Sequence, residues 1–384
     1  MRKILEQILY IGFGIQICLG LLWMVPNMIG SPFRGESLFG VNPGWGVAFF
    51  LRLLQVAFAS YVAYRFLKKL GVADRRKCVF GMLIMVTFPM TMQCHMSFGG
   101  YSLMSSLELL QFCLILDLWR SKKTKDKRKK AKVGLFCLLS LLLVAVGIPI
   151  EKKELGTDAQ SSIHSVLVSR LAWSSLNETY PAWPQEWQEA LPVWKVRDVS
   201  SYGDHINRVL LPYMEEVYGT DEAGSKQIQN ILQQMAILAL QRNTKGIVRE
   251  ICWDAVGYGI SPVVLQLQLA GKGYDSCSGV NYANMLERTP RLSALYMTYG
   301  CRWFGLALVL TVLLCLQEKK KIRFPICFSV IYSLVLIALY TLRGAGLMDY
   351  RKTIVVVMLW LAWMIHVLMD ASCFNENEKE SESL

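Results

Sequence analysis

Apolar residues run along this chain in long blocks that are separated by short charged or polar stretches. Eight such blocks stand out, at residues 4–24, 44–63, 79–92, 103–119, 133–150, 303–316, 324–342 and 353–369. A helix of about 20 apolar residues crosses the hydrocarbon core of a bilayer. The pattern therefore predicts an all-α polytopic membrane protein with about eight transmembrane helices.

Three details refine this pattern. Block 79–92 is short and contains Pro89, which predicts a kinked or tilted helix. Block 303–316 is also short, and we expect its helix to begin earlier, near Leu295. Arg52 lies well inside the second block, where it either pairs functionally or packs between helices.

Lysine and arginine are concentrated in every second connection between the blocks. Residues 65–77 hold six of them, residues 120–132 nine and residues 318–323 four, and Arg2 and Lys3 precede the first block. The connections 26–43 and 93–102 together hold a single one, Arg34. Basic connections stay on the cytoplasmic side of a membrane. The alternation predicts a multi-pass protein of the cell membrane with both termini in the cytoplasm.

The segment 151–300 differs in composition from the apolar blocks, because it carries 16 acidic and 13 basic residues and no long apolar run. We expect it to be a mainly helical extracytoplasmic domain, with amphipathic helices at 204–218 and 222–242. The predicted organisation is then a five-helix bundle (1–150), this domain, a three-helix bundle (301–370) and an acidic cytoplasmic tail (371–384).

Composition supports the membrane prediction and narrows the chemistry. The 384 residues are 53% hydrophobic and 18% charged, and the formal net charge is +12. A soluble domain carries about 25% charged residues. No phosphate-binding loop, dinucleotide fingerprint, nucleophile elbow or zinc-protease motif is present. We expect no cofactor, no metal and no nucleic-acid partner, and we interpret the lysine-rich run 122–132 as a topology determinant.

The external segment also contains residues for which the sequence leaves several roles open. Trp183 and Trp187 alternate with prolines. Three roles are open for these side chains: they line the membrane interface, form a platform for sugar rings, or pack the core of a small domain. Asp204 and His205 lie in the same segment. A disulfide between Cys252 and Cys277 is an open alternative to free thiols, since geometry decides it.

The predicted external loops hold the residues best suited to chemistry. Arg34 and Glu36 lie in the first loop, and Arg343 and Arg351 lie in or beside the last one. Arginine binds phosphate through its fork of donors, and a carboxylate can act as general base toward a hydroxyl. This combination is what a lipid-linked phosphate donor requires.

Three stretches of the sequence carry a family resemblance: FPMTMQCHMSFGGYSLMSSLELLQFCLILDLWRS after a pair of helices and a basic turn, SVLVSRLAWSSL, and LQLQLAGKGYDSCSGVNYANMLERTPRL. Together they resemble the C-type glycosyltransferases, which are protein-mannosyltransferase-like membrane enzymes. Members of that family generally have ten or more spans and a catalytic aspartate in the first external loop. Here eight spans are predicted, and Glu36 is the one carboxylate of that loop.

The resemblance implies a shortened glycosyltransferase-like protein that uses a polyprenyl-phosphate-linked sugar in extracytoplasmic glycan assembly. Glu36 would be its catalytic base, and Arg34, Arg343 and Arg351 would bind the donor phosphate. The acceptor glycan would contact Trp183, Trp187, Asp204 and His205. The partners would be membrane lipid, the lipid-linked donor and the acceptor. A non-catalytic assembly partner or sensor, which binds a ligand through the external domain, is the alternative, and a carrier is the third class.

Overall fold

A computed structural model describes residues 2–29, 44–72, 74–96, 101–123, 129–155, 181, 185–190, 211–263, 289–318, 330–338 and 353–381. All regular secondary structure in these residues is helical. The helices are α1 (Arg2–Ile29), α2 (Trp45–Leu70), α3 (Arg75–Val86), α4 (Pro89–Met96), α5 (Tyr101–Lys123), α6 (Lys129–Leu155), α7 (Gln185–Ala190), α8 (Leu211–Tyr218), α9 (Glu222–Gly259), α10 (Pro290–Glu318) and α11 (Ile354–Ser381). Residues 330–338 are helical as well.

Three of the described helices are long and apolar enough to cross a membrane, namely α1, α2 and α10. A fourth span results if α3 and α4, which meet at an angle of 74°, are counted as one broken helix. The apolar part of α11, Ile354–Met369, is shorter. The protein is thus an all-helical chain with three to four candidate membrane spans, and the number eight stays a prediction. The early start expected for the sixth span is confirmed, since α10 begins at Pro290.

The break between α3 and α4 confirms the kink predicted from Pro89. Proline cannot donate to the carbonyl four residues earlier, which leaves the oxygen of Met85 without its helical partner. The hydroxyl of Thr91 donates to that oxygen at 2.7 Å and to the oxygen of Phe88 at 2.8 Å. Gln16 of α1 donates to the oxygen of Ile84 at 2.9 Å. Side chains therefore satisfy the backbone that the break exposes, as the interior of a membrane protein demands.

The chain divides into two compact units, of which the larger comprises Met1–Ile150, Ile260–Leu334 and Tyr350–Leu384. Within this membrane unit α1 and α10 run antiparallel, because Phe13 contacts Trp303 and Trp23 stacks on Tyr296. Gly12 lies directly under the Trp303 ring, where a Cβ atom would collide with it. Small residues let membrane helices approach this closely, so that van der Waals packing holds them together.

The second unit comprises Glu151–Gly259 and Val335–Asp349. In it α9 begins at Glu222, as predicted, because the side chain of Asp221 accepts a hydrogen bond from the N–H of Gly224 at 2.8 Å. The helix is interrupted at Asn243, whose side chain accepts from the N–H of Gly246 at 3.0 Å and so starts the following segment. The predicted apolar stripe is confirmed as buried at Ile228, Ile231, Leu232 and Met235.

Candidate functional site

The two ends of the membrane unit differ in their charged groups. One end, here called the basic end, comprises Arg2 and Lys3 at the start of α1, Lys68 and Lys69 at the end of α2, and Arg75, Arg76 and Lys77 at the start of α3. Lys69 forms an ion pair with Asp117 of α5 at 2.5 Å, and Lys77 donates to the carbonyl of Met369 at 3.4 Å. The side chains of Lys69 and Asp117 are both partly exposed.

The opposite end, here called the polar end, is where α1 ends and where α2, α5 and α10 begin. Its central residue is Arg52, whose side chain has no exposed surface. The Nε of Arg52 donates to the carbonyl oxygen of Met96 at 2.9 Å, and Nη1 donates to that of Asn27 at 3.2 Å. Met96 is the last residue of α4 and Asn27 lies in the last turn of α1. Arg52 therefore joins the ends of two helices.

Helix ends explain why a cation is stable in this position. The last carbonyl groups of a helix have no partner within it and carry the negative end of the helix dipole. The guanidinium of Arg52 meets two such ends at once and supplies the donors that their carbonyl groups lack. A buried charge within a membrane protein is costly unless it is compensated in this way.

A second group of hydrogen bonds joins α1 to α10 at the polar end. The indole Nε1 of Trp23 donates to the hydroxyl of Ser293 at 2.9 Å. The amide of Asn27 donates to the carbonyl of Trp23 at 2.8 Å and to the hydroxyl of Thr289 at 3.3 Å. The carbonyl of Asn27 is also a partner of Arg52, so the two groups share one residue.

A third group links α4 to α5. The Nδ1 of His95 lies 2.8 Å from the hydroxyl of Ser102, and both residues are fully or almost fully buried. Ser105 and Ser106 are buried one turn further along α5. We refer to Asn27, Arg52, His95, Ser102 and Ser293 together as the polar-end cluster. It combines one fixed positive charge with hydroxyl, imidazole and amide groups, and all five side chains are buried between the helix ends.

One ionisable residue that the sequence analysis did not single out lies in α5. Glu108 is seven residues from the start of α5 and nine from Asp117, which places it about 13 Å along the helix from the basic end. It is partly buried and interacts electrostatically with Tyr332, whose ring contacts Phe112 at 5.1 Å. A carboxylate inside a predominantly apolar helix is uncommon. The signal was visible as a charge inside block 103–119.

The site residues predicted from the sequence lie almost entirely outside the described part of the chain. Glu36, Arg34, Arg343, Arg351, Trp183, Asp204 and His205 are all outside it, and Trp187 is described only as part of the backbone of α7. Their roles stay predictions. Arg52 is the residue for which the structure decides between the two alternatives: it binds backbone carbonyl groups between helices.

Two further expectations can be compared with the described residues. The thiol of Cys252 is exposed, but Cys277 lies outside the described residues, so a disulfide between them stays a prediction. Among the described residues, no group of three or more histidine, cysteine, aspartate or glutamate side chains could hold a metal ion.

Comparisons with known proteins are the remaining source of information on identity. The chain matches no protein-family model, no curated protein and no solved structure. The resemblance to C-type glycosyltransferases therefore stays a prediction.

Proposed function

We propose that the protein is a glycosyltransferase-like membrane protein that binds a polyprenyl-phosphate-linked sugar at its polar end. The observation that carries this proposal is the position of Arg52, which holds the two helix ends from which the segments 30–43 and 97–100 leave. The first of these segments contains Arg34 and Glu36. A fixed cation thus lies beside the end of α1, and the segment that follows α1 in the sequence carries a carboxylate and a second arginine.

The proposed reaction gives a different role to each of these side chains. Arg34, with Arg343 or Arg351, binds the donor phosphate through bidentate hydrogen bonds. Glu36 removes the proton from the acceptor hydroxyl as it attacks the anomeric carbon, and the lipid phosphate leaves with the bonding electrons. Arg52 acts as a positioning residue, because its donors are directed to backbone oxygens. Trp183, Trp187, Asp204 and His205 would contact the acceptor.

The proposed orientation follows from the charges. The basic end lies in the cytoplasm with both termini, since lysine and arginine resist translocation. The polar end then faces the extracytoplasmic side, where lipid-linked sugars serve as donors. A cysteine introduced at position 230, in the exposed part of α9, should react with a membrane-impermeant maleimide added outside the cell. Reaction only after the cytoplasm is opened would contradict the orientation.

A non-catalytic binding protein is the second candidate, and one observation favours it. The polar-end cluster contains no carboxylate, and its arginine donates to two helix ends and not to a reacting group. This protein would bind the same class of lipid, or another ligand through its external domain, as an assembly partner or sensor.

The experiment that tests the proposal is mass spectrometry of the lipids that co-purify with the full-length protein in mild detergent. We expect a polyprenyl-phosphate sugar with the native protein and with Lys69→Gln, which alters the basic end. We expect less of it with Arg52→Gln and an intermediate amount with Arg52→Lys, which keeps the charge. Recovery of bulk phospholipid alone would contradict the proposal. Bound donor without transfer to any acceptor would favour the non-catalytic candidate.

A further inference from the structure

An arginine interrupts the apolar outer surface of α10. Leu295, Leu306 and Val309 expose between 50 and 56% of their surface, and Arg302 is exposed on the same side of the helix. Arg291 lies eleven residues earlier, which is about three turns and therefore the same face. The hydrophobic residues of this face suit lipid, whereas the arginine does not.

Arg302 lies deep within the apolar helix. It is 11 residues from Arg291 and 15 from Gln317, the two ends of the candidate span. At 1.5 Å per residue these distances are about 16 Å and about 22 Å. Its neighbours along the chain contact the middle of α1, because Tyr299 donates to the carbonyl of Gly12 and Trp303 packs on Phe13. Snorkelling by an arginine side chain does not span such distances.

The described ion pairs join Arg2 to Glu6, Lys69 to Asp117 and Lys226 to Glu222, and none involves Arg302. The Oε2 of Glu108, which lies inside the apolar block of α5, is buried inside the protein. A second copy of the chain therefore offers no exposed carboxylate among its described residues at this depth.

We propose that the face of α10 formed by Leu295, Arg302, Leu306 and Val309 binds a transmembrane helix of another protein, one that carries a carboxylate near its middle. The apolar residues of this face pack against the partner helix. The arginine pairs with the carboxylate, and each charge removes the cost of burying the other in hydrocarbon. This interface goes beyond the proposed function and does not depend on it.

The proposal can be tested with a defined probe in phosphatidylcholine vesicles. The full-length protein, labelled with a fluorescent donor, is mixed with an acceptor-labelled single-span polyleucine helix that has either glutamate or glutamine at its centre. We expect energy transfer to show about fivefold or stronger preference for the glutamate helix, since polar contacts between membrane helices contribute about 1–2 kcal/mol in such peptides. Arg302→Leu should abolish the preference and Arg302→Lys should retain part of it. Arg291→Leu, on the same face at the helix end, should leave it unchanged.

Three results would overturn the proposal. The first is equal binding of the two helices by the native protein. The second is self-association of the protein that Arg302→Leu abolishes, because the partner would then be a second copy. The third is labelling of Arg302→Cys by a water-soluble maleimide as fast as Arg291→Cys, which would place Arg302 at the membrane surface. Native helix content and elution volume of Arg302→Leu serve as the control for folding.

Discussion

The basic end and the polar end of the membrane unit hold cations in opposite ways. At the basic end, Lys69 and Asp117 form an ion pair that stays partly exposed, so water shares the cost of the charges. At the polar end, Arg52 has no exposed surface and binds the carbonyl oxygens of two helix ends. The number of charged residues at one end of the protein therefore does not by itself locate a functional site. The basic end has many cations, of which Lys69 remains partly exposed in its ion pair, whereas the single buried cation of the polar end joins two helices.

The first and largest difference that we expect between the two ends is in the effect of substitutions on activity. Glu36→Gln should abolish sugar transfer, because the amide cannot accept the proton of the acceptor hydroxyl. Glu6→Gln at the basic end, which removes an ion pair with Arg2, should leave transfer intact. The measurement is transfer of labelled sugar from a polyprenyl-phosphate donor to a glycan acceptor, with expression and elution volume as controls. Full activity of Glu36→Gln would remove this residue from the mechanism.

We also expect substitutions at the two ends to differ in their effect on the free energy of unfolding. Arg52→Ala leaves two buried carbonyl groups without donors, and we expect a loss of about 2–5 kcal/mol in the free energy of unfolding. Lys69→Ala should cost about 1 kcal/mol or less, as is usual for ion pairs that water can reach. Denaturant titration in mixed micelles measures both. Equal losses would mean that Arg52 is no more than another surface charge.

Packing between α1 and α10 gives a prediction of intermediate size. Gly12→Ala places a methyl group against the Trp303 ring, and we expect a loss of about 1–3 kcal/mol because the helices must separate. Gly14→Ala, on the open side of the same helix, has nothing within 4 Å. It should be neutral or stabilise by up to about 1 kcal/mol. A destabilised Gly14→Ala with an unaffected Gly12→Ala would contradict this helix contact.

The smallest effect concerns the break before α4. Thr91→Val removes the donor of the Met85 carbonyl and should cost about 1 kcal/mol. Thr311→Val is the matched control, because Thr311 donates to the Ala307 carbonyl four residues earlier in an unbroken helix. That change should cost about half as much or less. Thermal unfolding of the two variants side by side gives the comparison, and a larger cost at Thr311 would speak against the role of Thr91.

The helices themselves were largely predictable from the sequence, because each rests on local information. Long apolar runs indicated α1 and α2, Pro89 indicated the break, and an acidic first turn indicated the start of α9 at Glu222. The polar-end cluster was not predictable. Arg52 binds residues 25 and 44 positions away in the sequence, and no periodicity indicates which carbonyl groups a bend leaves open. Glu108 was visible in the sequence, but its depth becomes clear only from its neighbours.

The break between α3 and α4 also sets an order of events during synthesis. The carbonyl of Thr87 receives its hydrogen bond from the hydroxyl of Tyr296, which the ribosome adds 209 residues later. At 5–20 residues per second this interval is about 10–40 s. Until Tyr296 is added the Thr87 carbonyl lacks this donor, and an unfilled acceptor costs several kcal/mol in hydrocarbon. A chain that ends before α10 would lack this donor, so we expect its bend to be less stable than that of the full chain.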